Sequence, residues 1–218
     1  MCGRFTQAYT WQEVYEFYNL SGAPRNLQPN YNVAPTQAIN VIVARNGERL
    51  MVDMRWGLVP VWWKKPLKDL PSTFNARSET AAGKPMFRSA FRRNRCLVPA
   101  TGFYEWKRSG GEKQPYLIRS AEAAPLTFAG LWDRWRDPES GEDIHSCTVL
   151  TTEANSFMSA IHTRMPVILT PDRFDSWLGG AADGKLAPRN DNLLAAHPVG
   201  KAVGNVRNNG PELLEPVT

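Results

Sequence analysis

Alternation of apolar and polar residues predicts that most of this chain forms β-strands. Residues 38–44 and 48–56 are strand-like runs, and Asn46-Gly47 between them is typical of a two-residue hairpin turn. A last alternating strand begins at His197 and precedes a turn rich in glycine and asparagine. Other strands are predicted at residues 96–100, 102–107, 114–119, 126–132 and 144–152. The pattern favours a mostly antiparallel sheet.

Apolar residues at helical spacing predict a few short helices. The first covers residues 10–20, where Thr10 and Glu13 form a capping box at its start. Others are predicted at residues 85–95, 153–161 and 170–180, and a polar loop covers residues 180–191. The fold class is therefore α+β. Because no repeat, charge block or long linker divides the chain, residues 1–218 are predicted to form a single domain.

The helix at residues 85–95 carries the densest basic cluster of the chain. Its apolar residues face inward, which leaves Arg88, Arg92 and Arg95 on an outer stripe. Such a stripe is usually solvated surface. Beside Lys64 and Lys65 it would also form a track for phosphates.

Composition and charge narrow the classes of function. Of 218 residues, 42% are hydrophobic and 22% charged, which is ordinary for a soluble globular protein. No apolar run approaches the roughly 20 residues that span a bilayer, and no secretory signal is present, so we expect a cytoplasmic protein without a membrane partner. Three widely spaced cysteines indicate reduced thiols, and the histidines lack metal-ligand spacing, so neither a metal nor a cofactor is expected. The net charge of +5 with eight tryptophans is compatible with nucleic acid.

The first residues carry the most distinctive chemistry. Removal of Met1, which a small second residue permits, would leave Cys2 with a free α-amine beside its thiol. Such an aminothiol condenses with an aldehyde to an imine, and the thiol then closes a thiazolidine ring. The amine titrates near about 7.7–8.0 and the thiol near about 8.5, and positive charge from Arg4 would favour the thiolate. Alternatively, Cys2 is only a small residue in an ordinary terminus.

Two further stretches are candidate contacts for a ligand. Trp62 and Trp63 precede two lysines, and because adjacent residues of a strand point to opposite faces, either one packs inward while the other is displayed or both lie on a loop. A displayed tryptophan could stack on a base, whereas the alternative makes both of them partly buried packing residues. Asn75, Arg77 and Glu79 place an amide, a guanidinium and a carboxylate close together. The alternative makes Asn75 a helix cap and Arg77 and Glu79 a solvated ion pair.

Glu105 and His162 are the candidate groups for proton transfer. Glu105 shares one face of its strand with Phe103 and Lys107 among aromatic residues, so desolvation would raise its pKa. The alternative is an outward-facing charge paired with Lys107 or Arg4. His162 lies at a predicted helix-to-strand junction, which suits either a proton shuttle in a cleft or a structural histidine.

Motifs in order along essentially the whole chain carry a specific resemblance. They are MCGRF at residues 1–5, YNVAP at 31–35, WGLVP at 56–60, NARSE at 75–79, GFYEWK at 102–107, IHTRMP at 161–166 and the stretch 197–210. With them the chain resembles the SOS-response-associated peptidase (SRAP) family, whose members shield abasic sites in single-stranded DNA by crosslinking to them.

The resemblance implies a fold, a site and a reaction. The sheet would be barrel-like, and Cys2, Asn75, Glu105 and His162 would converge in one catalytic cleft. Cys2 would form a thiazolidine crosslink to an abasic site in single-stranded DNA, with Glu105 opening the sugar ring, His162 moving a proton and Asn75 binding the sugar. Lyase and autopeptidase activities are further expectations, as are action as a monomer and association with the nucleoid. The DNA contacts carried over are Arg4, Trp62, Trp63, Arg77 and Arg88.

Two other classes of function stay open. In a cysteine peptidase, Cys2 attacks an amide with His162 as the base. In a non-catalytic single-strand-binding module, arginines and tryptophans bind DNA and Cys2 is incidental. A Cys2→Ala variant separates these classes, because a pure binder keeps all of its activity.

Overall fold

A computed structural model describes residues 2–122, 124–180 and 193–217 of the chain. The strands in these ranges are β1 (Phe5–Gln7), β2 (Asn30–Val33), β3 (Ala38–Arg45), β4 (Glu48–Trp56), β5 (Asn75–Arg77), β6 (Arg95–Ala100), β7 (Gly102–Ser109), β8 (Glu112–Ser120), β9 (Leu126–Arg136), β10 (Asp143–Glu153), β11 (Arg164–Pro166) and β12 (Leu194–Pro198). The helices are α1 (Trp11–Tyr18), α2 (Ser78–Ala81), α3 (Arg88–Arg93), α4 (Ser156–Ser159) and α5 (Phe174–Leu178), with 3₁₀ turns at Leu67–Asp69, Pro171–Arg173, Lys201–Gly204 and Pro211–Leu214.

Five strands close into a barrel of mixed direction. β3 pairs with β4 and β6, β6 with β9, and β9 with β10, all antiparallel. β10 then returns to β4 in parallel and closes the ring. β5 and β11 extend from β10 outside the ring. The barrel and the short helices confirm the predicted α+β class with a barrel-like sheet.

A second, antiparallel sheet carries the N-terminal strand. Its order is β12-β8-β7-β1-β2, so β1 is an inner strand. Phe5 on β1 lies opposite Val33 and Phe103. Its ring meets Trp56 edge-on at 4.8 Å and Phe128 at 5.9 Å, and both of these belong to the barrel. Aromatic pairs in this geometry stabilise by about 0.5–1.5 kcal/mol each, so the chain just after Cys2 is held by both sheets.

Strand alternation divides the core into an inner and an outer part. Val41 and Val43 on β3 join an apolar cluster with Phe103, whereas Ile42 between them joins a second cluster with Trp177. Adjacent residues of a strand point to opposite faces, so this strand is buried on both sides. The second cluster also receives the buried residues of α1, α3 and α5, which cover the outside of the barrel.

Two locally encoded elements form as predicted. The β3–β4 hairpin turns at Asn46 and Gly47, whose φ angles of 53° and 82° are the positive values that its two-residue turn requires. α1 begins with a complete capping box between Thr10 and Glu13 and ends at Tyr18, two residues earlier than expected. Within the described ranges no helix has the length and apolar character needed to cross a membrane.

The prediction of an outer arginine stripe is wrong at Arg95. The helix is shorter than expected, and Arg95 begins β6 with only 8% of its surface exposed. Its guanidinium lies 4.9 Å from the ring centre of Phe91 and 4.5 Å from that of Trp177, and its Nε donates to the Phe91 carbonyl. Cation–π contact allows this arginine to be buried, while Arg88 and Arg92 remain exposed.

The strand predicted from His197 is displaced toward the N-terminus, because β12 begins at Leu194, three residues before His197. β12 ends at Pro198, and a 3₁₀ turn follows. The Asn32 side-chain amide donates to the carbonyls of Val203, Asn205 and Asn208. These backbone groups are therefore satisfied by one side chain and not by pairing with a strand. The third and fourth predicted helices shrink to α4 and to a 3₁₀ turn followed by α5. The polar loop predicted beyond Gly180 lies outside the described residues.

Candidate active site

Cys2 is fully buried, three residues before the N-terminal strand β1 begins. Asn75 donates from Nδ2 to the Cys2 carbonyl at 2.6 Å. The Arg4 carbonyl accepts from the Tyr104 amide at 2.9 Å, which extends the β1–β7 pairing toward Cys2. The backbone of Cys2 is therefore tied to β5 directly and to β7 through its neighbours.

The thiol of Cys2 is not activated in the way the sequence suggested. Burial raises its pKa well above the usual range, and the negative charge of Glu105 raises it further. Arg4, expected to favour the thiolate, instead donates from its guanidinium to Asn32 Oδ1 and the Val203 carbonyl, both at 2.7 Å. Desolvation outweighs the effects that lower this pKa, among them a hydrogen bond with the Arg4 backbone, so the thiol rests in its neutral form and needs a base in order to react.

Glu105 is a buried carboxylate on β7, with 2% of its surface exposed and Tyr116 opposite on β8. Burial raises its pKa, and the neighbouring His162 acts in the opposite direction. The raised pKa expected from the apolar strand is thus confirmed. The alternative of an outward-facing charge is wrong, because Glu105 is buried and its carboxylate lies 3.9 Å from His162 Nε2.

His162 lies between α4 and β11 with its ring 26% exposed. Nε2 is 3.9 Å from Glu105 Oε2. On the other side of the ring, the Arg164 amide donates to Nδ1 at 3.0 Å, and the Arg164 carbonyl is 3.1 Å from the same nitrogen. In a neutral imidazole, an accepting Nδ1 leaves the proton on Nε2. The Arg164 amide, which can only donate, favours the tautomer whose protonated Nε2 faces Glu105 over the tautomer in which Nδ1 donates to the Arg164 carbonyl. The favoured arrangement is suited to proton exchange.

Asn75 begins β5, which runs parallel to β10 with Asn75 opposite Val149. The alternative role as a helix cap is wrong, since Arg77 holds the N-cap position of α2. Asn75 Oδ1 is buried and accepts no hydrogen bond from any described residue. A buried acceptor in this state is suited to a hydroxyl or amine of a bound ligand.

The four predicted catalytic residues are brought together at the meeting of the two sheets. Glu105 lies on β7 of the antiparallel sheet, and Cys2 precedes β1 of the same sheet. Asn75 lies on β5 and His162 precedes β11, and both of these strands pair with β10 of the barrel. Asn75 contacts Cys2, the charge of Glu105 acts on the Cys2 thiol, and Glu105 pairs with His162. A cleft of about 290 Å³ reaches Glu105 and His162 and is lined also by Trp106, Arg108 and Lys113. The roles of these residues stay predictions.

The predicted DNA contacts lie mostly on the surface. Arg77 and Arg88 are exposed. Trp62 is 46% exposed on the loop after β4, while Trp63 is half-buried and its carbonyl accepts from Trp135 Nε1 at 2.6 Å. One tryptophan is displayed and its neighbour packs, as one of the two alternatives expected. Contact with DNA stays a prediction for these residues and for half-buried Arg4.

Sequence reasoning missed an ion pair beside the site. Glu79 does not pair with Arg77; its two carboxylate oxygens accept from Arg164 at 2.7 and 2.9 Å. Both residues belong to motifs noted in the sequence, NARSE and IHTRMP, but nothing in their spacing links the two motifs. The sequence did show that Arg164 lies two residues after His162, and this closeness to a predicted catalytic residue was a sign that Arg164 belongs to the site.

A second cavity, of about 660 Å³, is lined by none of the four predicted catalytic residues. It lies between α1 and the end of β8, where Tyr9, Phe17 and Ser120 line it. Within residues 2–122, 124–180 and 193–217, no three His, Cys, Asp or Glu side chains are grouped closely enough to hold a metal ion.

Comparison with known proteins places the chain in a family. The family model described as SOS response associated peptidase (SRAP) matches residues 1–206. The chain is 37% identical over 224 residues to the abasic site processing protein YoqW of Bacillus subtilis, with 99% of each chain covered. It is 33% identical over 230 residues to the abasic site processing protein YedK of Escherichia coli, with all of both chains covered. The solved structure of a protein from Bacteroides thetaiotaomicron superposes with a TM-score of 0.88 at 25% identity over the whole of both chains. This chain belongs to the SOS response associated peptidase family.

Proposed function

We propose that this protein processes abasic sites in single-stranded DNA by forming a covalent thiazolidine between Cys2 and the ring-opened sugar. The relatives named above are abasic site processing proteins, which supports the choice of substrate. The observation that carries the proposal is the convergence of Asn75, Glu105 and His162 around Cys2 from separate elements. Because Met1 precedes Cys2 in the sequence, its removal is required to free the amine.

The first step is the opening of the sugar. An abasic deoxyribose is mostly a closed hemiacetal, and only its open aldehyde reacts with an amine. Opening removes a proton from the C1′ hydroxyl and delivers one to the ring oxygen. Glu105, with a pKa raised by burial, and His162, with its Nε2 proton facing that carboxylate, are suited to take and give these protons.

Two bonds to C1′ then form in turn. The Cys2 amine attacks the aldehyde and water leaves, giving an imine. The thiol adds across the C=N bond, so that sulfur joins C1′ and the thiol proton ends on nitrogen. Water is the only product released. Since the buried thiol is neutral, Glu105 is the nearby group suited to accept its proton during the addition. Holding amine, thiol and aldehyde together is worth up to about 7–11 kcal/mol in favourable cases.

Surface features support a single-stranded DNA partner. Arg77 and Arg88 are exposed cations, and Trp62 is an exposed aromatic ring on the loop after β4. Cations that contact phosphates together with rings that stack on bases are typical of binding to single strands with little sequence preference.

A peptidase acting on other chains is less well supported. Cysteine nucleophiles that attack amides have a lowered thiol pKa. Burial and Glu105 instead raise the pKa of Cys2. Addition to an imine places weaker demands on the thiol, because the electrophile is more reactive and ring closure is intramolecular.

The test is a denaturing gel of the protein with an oligonucleotide that carries one abasic site. Wild-type protein with a free Cys2 amine is expected to give a heat-stable adduct. Cys2→Ala should give none, although its amine can form a transient imine and nick the strand. Cys2→Ser should give only a weaker oxygen analogue, since a hydroxyl is the poorer nucleophile.

An uncleaved N-terminal tag provides the matched control. It blocks the amine and keeps the thiol, so it should abolish the stable adduct and leave DNA affinity nearly unchanged. A full-strength, heat-stable adduct from the tagged protein refutes the aminothiol mechanism and leaves plain thiol attack. If Cys2→Ala retains all activity of the wild type, the protein is a binding module.

A further inference from the structure

We propose that Glu79 and Arg164 are positioning residues, whose ion pair holds His162 in the tautomer with its proton on Nε2. The expected effect on the rate of adduct formation rests on the proposed function. The expected tautomer of His162 does not, so the positioning role and the proposed function can be refuted separately.

The Glu79–Arg164 pair is more constrained than an ordinary surface ion pair. The two terminal guanidinium nitrogens of Arg164 donate one hydrogen bond each to Glu79, Nη1 to Oε1 at 2.7 Å and Nη2 to Oε2 at 2.9 Å. The same Nη2 also donates to the Thr151 carbonyl at 2.8 Å. The Arg164 side chain is only 14% exposed. A planar guanidinium with two parallel hydrogen bonds has little freedom to rotate. Arg164 thus locks α2 to β10.

The backbone of Arg164 passes this constraint to the imidazole. Its amide is the donor to His162 Nδ1 at 3.0 Å. Arg164 begins β11, a strand of only three residues that pairs with the end of β10, where Arg164 lies opposite Glu153. So short a strand is a weak anchor by itself. The side chain of Arg164 therefore fixes the position of the amide that selects the His162 tautomer.

Glu79 connects the same anchor to a second part of the site. It lies on α2, which follows directly after the strand that begins with Asn75. Asn75 in turn holds the Cys2 carbonyl. One ion pair thus joins the segment that positions the nucleophile to the segment that positions the proton-transfer group. The Glu79 end of the pair is 42% exposed, and ion-pair contacts that reach solvent contribute little to stability, so a substitution at Glu79 should alter the site more than the fold.

Two variants and one control separate positioning from stability. Glu79→Gln removes the charge and keeps the shape, and Arg164→Lys keeps the charge but cannot form both parallel hydrogen bonds. The control is Asp143→Asn, which breaks the 2.6 Å pair with Arg134 at the opposite end of β10. If Glu79→Gln fails to fold, Arg164→Lys carries the test.

The first measurement is the ring state of His162, read by NMR on protein labelled with ¹⁵N-histidine. The chain has three histidines, so a His162→Gln variant assigns the signal. Wild type should show the form protonated on Nε2. In Glu79→Gln the preference for that tautomer should fall by about fivefold, the effect of weakening one hydrogen bond. Asp143→Asn should leave it unchanged. An unchanged ratio in both Glu79→Gln and Arg164→Lys overturns the proposal.

The second measurement is the rate of adduct formation as a function of DNA concentration. Glu79→Gln should lower the maximal rate by about tenfold and leave the half-saturating concentration nearly unchanged, since proton transfer is impaired and binding is not. Tighter DNA binding with an unaltered tautomer would overturn the proposal, because Glu79 would then only screen the charge of Arg164 from phosphates. If wild type forms no adduct, the proposed function fails, and the NMR result still decides the positioning role.

Discussion

Replacement of Asn75 by alanine is expected to slow adduct formation without unfolding the protein. The substitution removes the 2.6 Å hydrogen bond from Nδ2 to the Cys2 carbonyl. Leaving such a carbonyl without its donor costs about 1–3 kcal/mol. If the loss displaces Cys2 and the same free energy is added to the activation barrier, the rate of adduct formation should drop by about 5- to 150-fold, at about 1.4 kcal/mol for each factor of ten.

The assay is a single-turnover time course with protein in excess, stopped by heat and resolved on a denaturing gel. Asn40→Ala is the matched control, because the Asn40 amide also makes a 2.6 Å hydrogen bond, to Asp53 on the neighbouring strand β4. It should leave the rate unchanged. Asn75→Asp keeps an acceptor but removes the donor, so it should be at least as slow as Asn75→Ala.

Two results would contradict this reasoning. A rate for Asn75→Ala close to that of wild type, with both proteins folded at the assay temperature, would show that the hydrogen bond does not position Cys2. A near-normal rate for Asn75→Asp would shift the role of Asn75 to its unpaired Oδ1, as an acceptor for the sugar. Thermal unfolding of each variant provides the check on folding.

Charged side chains give three further predictions. Burial raises the pKa of Glu105 in the folded protein, so wild type loses stability as the pH rises from about 4.3 through the folded pKa. Over that pH range Glu105→Gln should therefore gain thermal stability relative to wild type. A difference in melting temperature that does not change with pH would contradict this. In denaturant titrations Arg95→Ala should lower the free energy of unfolding by about 2 kcal/mol, and Arg92→Ala, at an exposed position, by less than about 0.5 kcal/mol. Equal losses of stability would argue against the buried cation–π interaction. By fluorescence anisotropy, Arg77→Gln or Arg88→Gln should weaken binding to all single strands alike and lower the salt slope by about 0.7 for each phosphate that is no longer neutralised; an unchanged slope would remove that residue from the DNA interface.

Features encoded by neighbouring residues could be predicted from the sequence. The β3–β4 hairpin depends on two adjacent turn residues, and the start of α1 on a capping box within four residues. Alternation along β7 was enough to place Glu105 on the same face as Phe103 and to predict its raised pKa. In each case the decisive interactions lie within a few positions along the chain.

Features that depend on distant residues could not be predicted in this way. Barrel closure needs the parallel pairing of β10 with β4, about 90 residues earlier in the chain. Arg95 is buried because Trp177 covers it, and periodicity around residue 95 contains no sign of that partner. The convergence of Cys2, Asn75, Glu105 and His162 was implied by family resemblance and not by their spacing, since each comes from a different element.

The thiol of Cys2 shows how burial changes the chemistry that a motif suggests. From the sequence, Arg4 should have favoured a thiolate, yet burial and the charge of Glu105 keep the thiol protonated. This favours an order of events in which the amine reacts first. In the proposed mechanism, protonation of the imine nitrogen places a positive charge next to both Glu105 and the thiol, and such a charge lowers the pKa of each. Under this proposal the thiol would be activated only once the sugar is attached, and the product ring would be neutral and could stay buried. A site between two sheets, in which Cys2 and Glu105 are both buried, would suit the proposed reaction, which ends in a retained adduct.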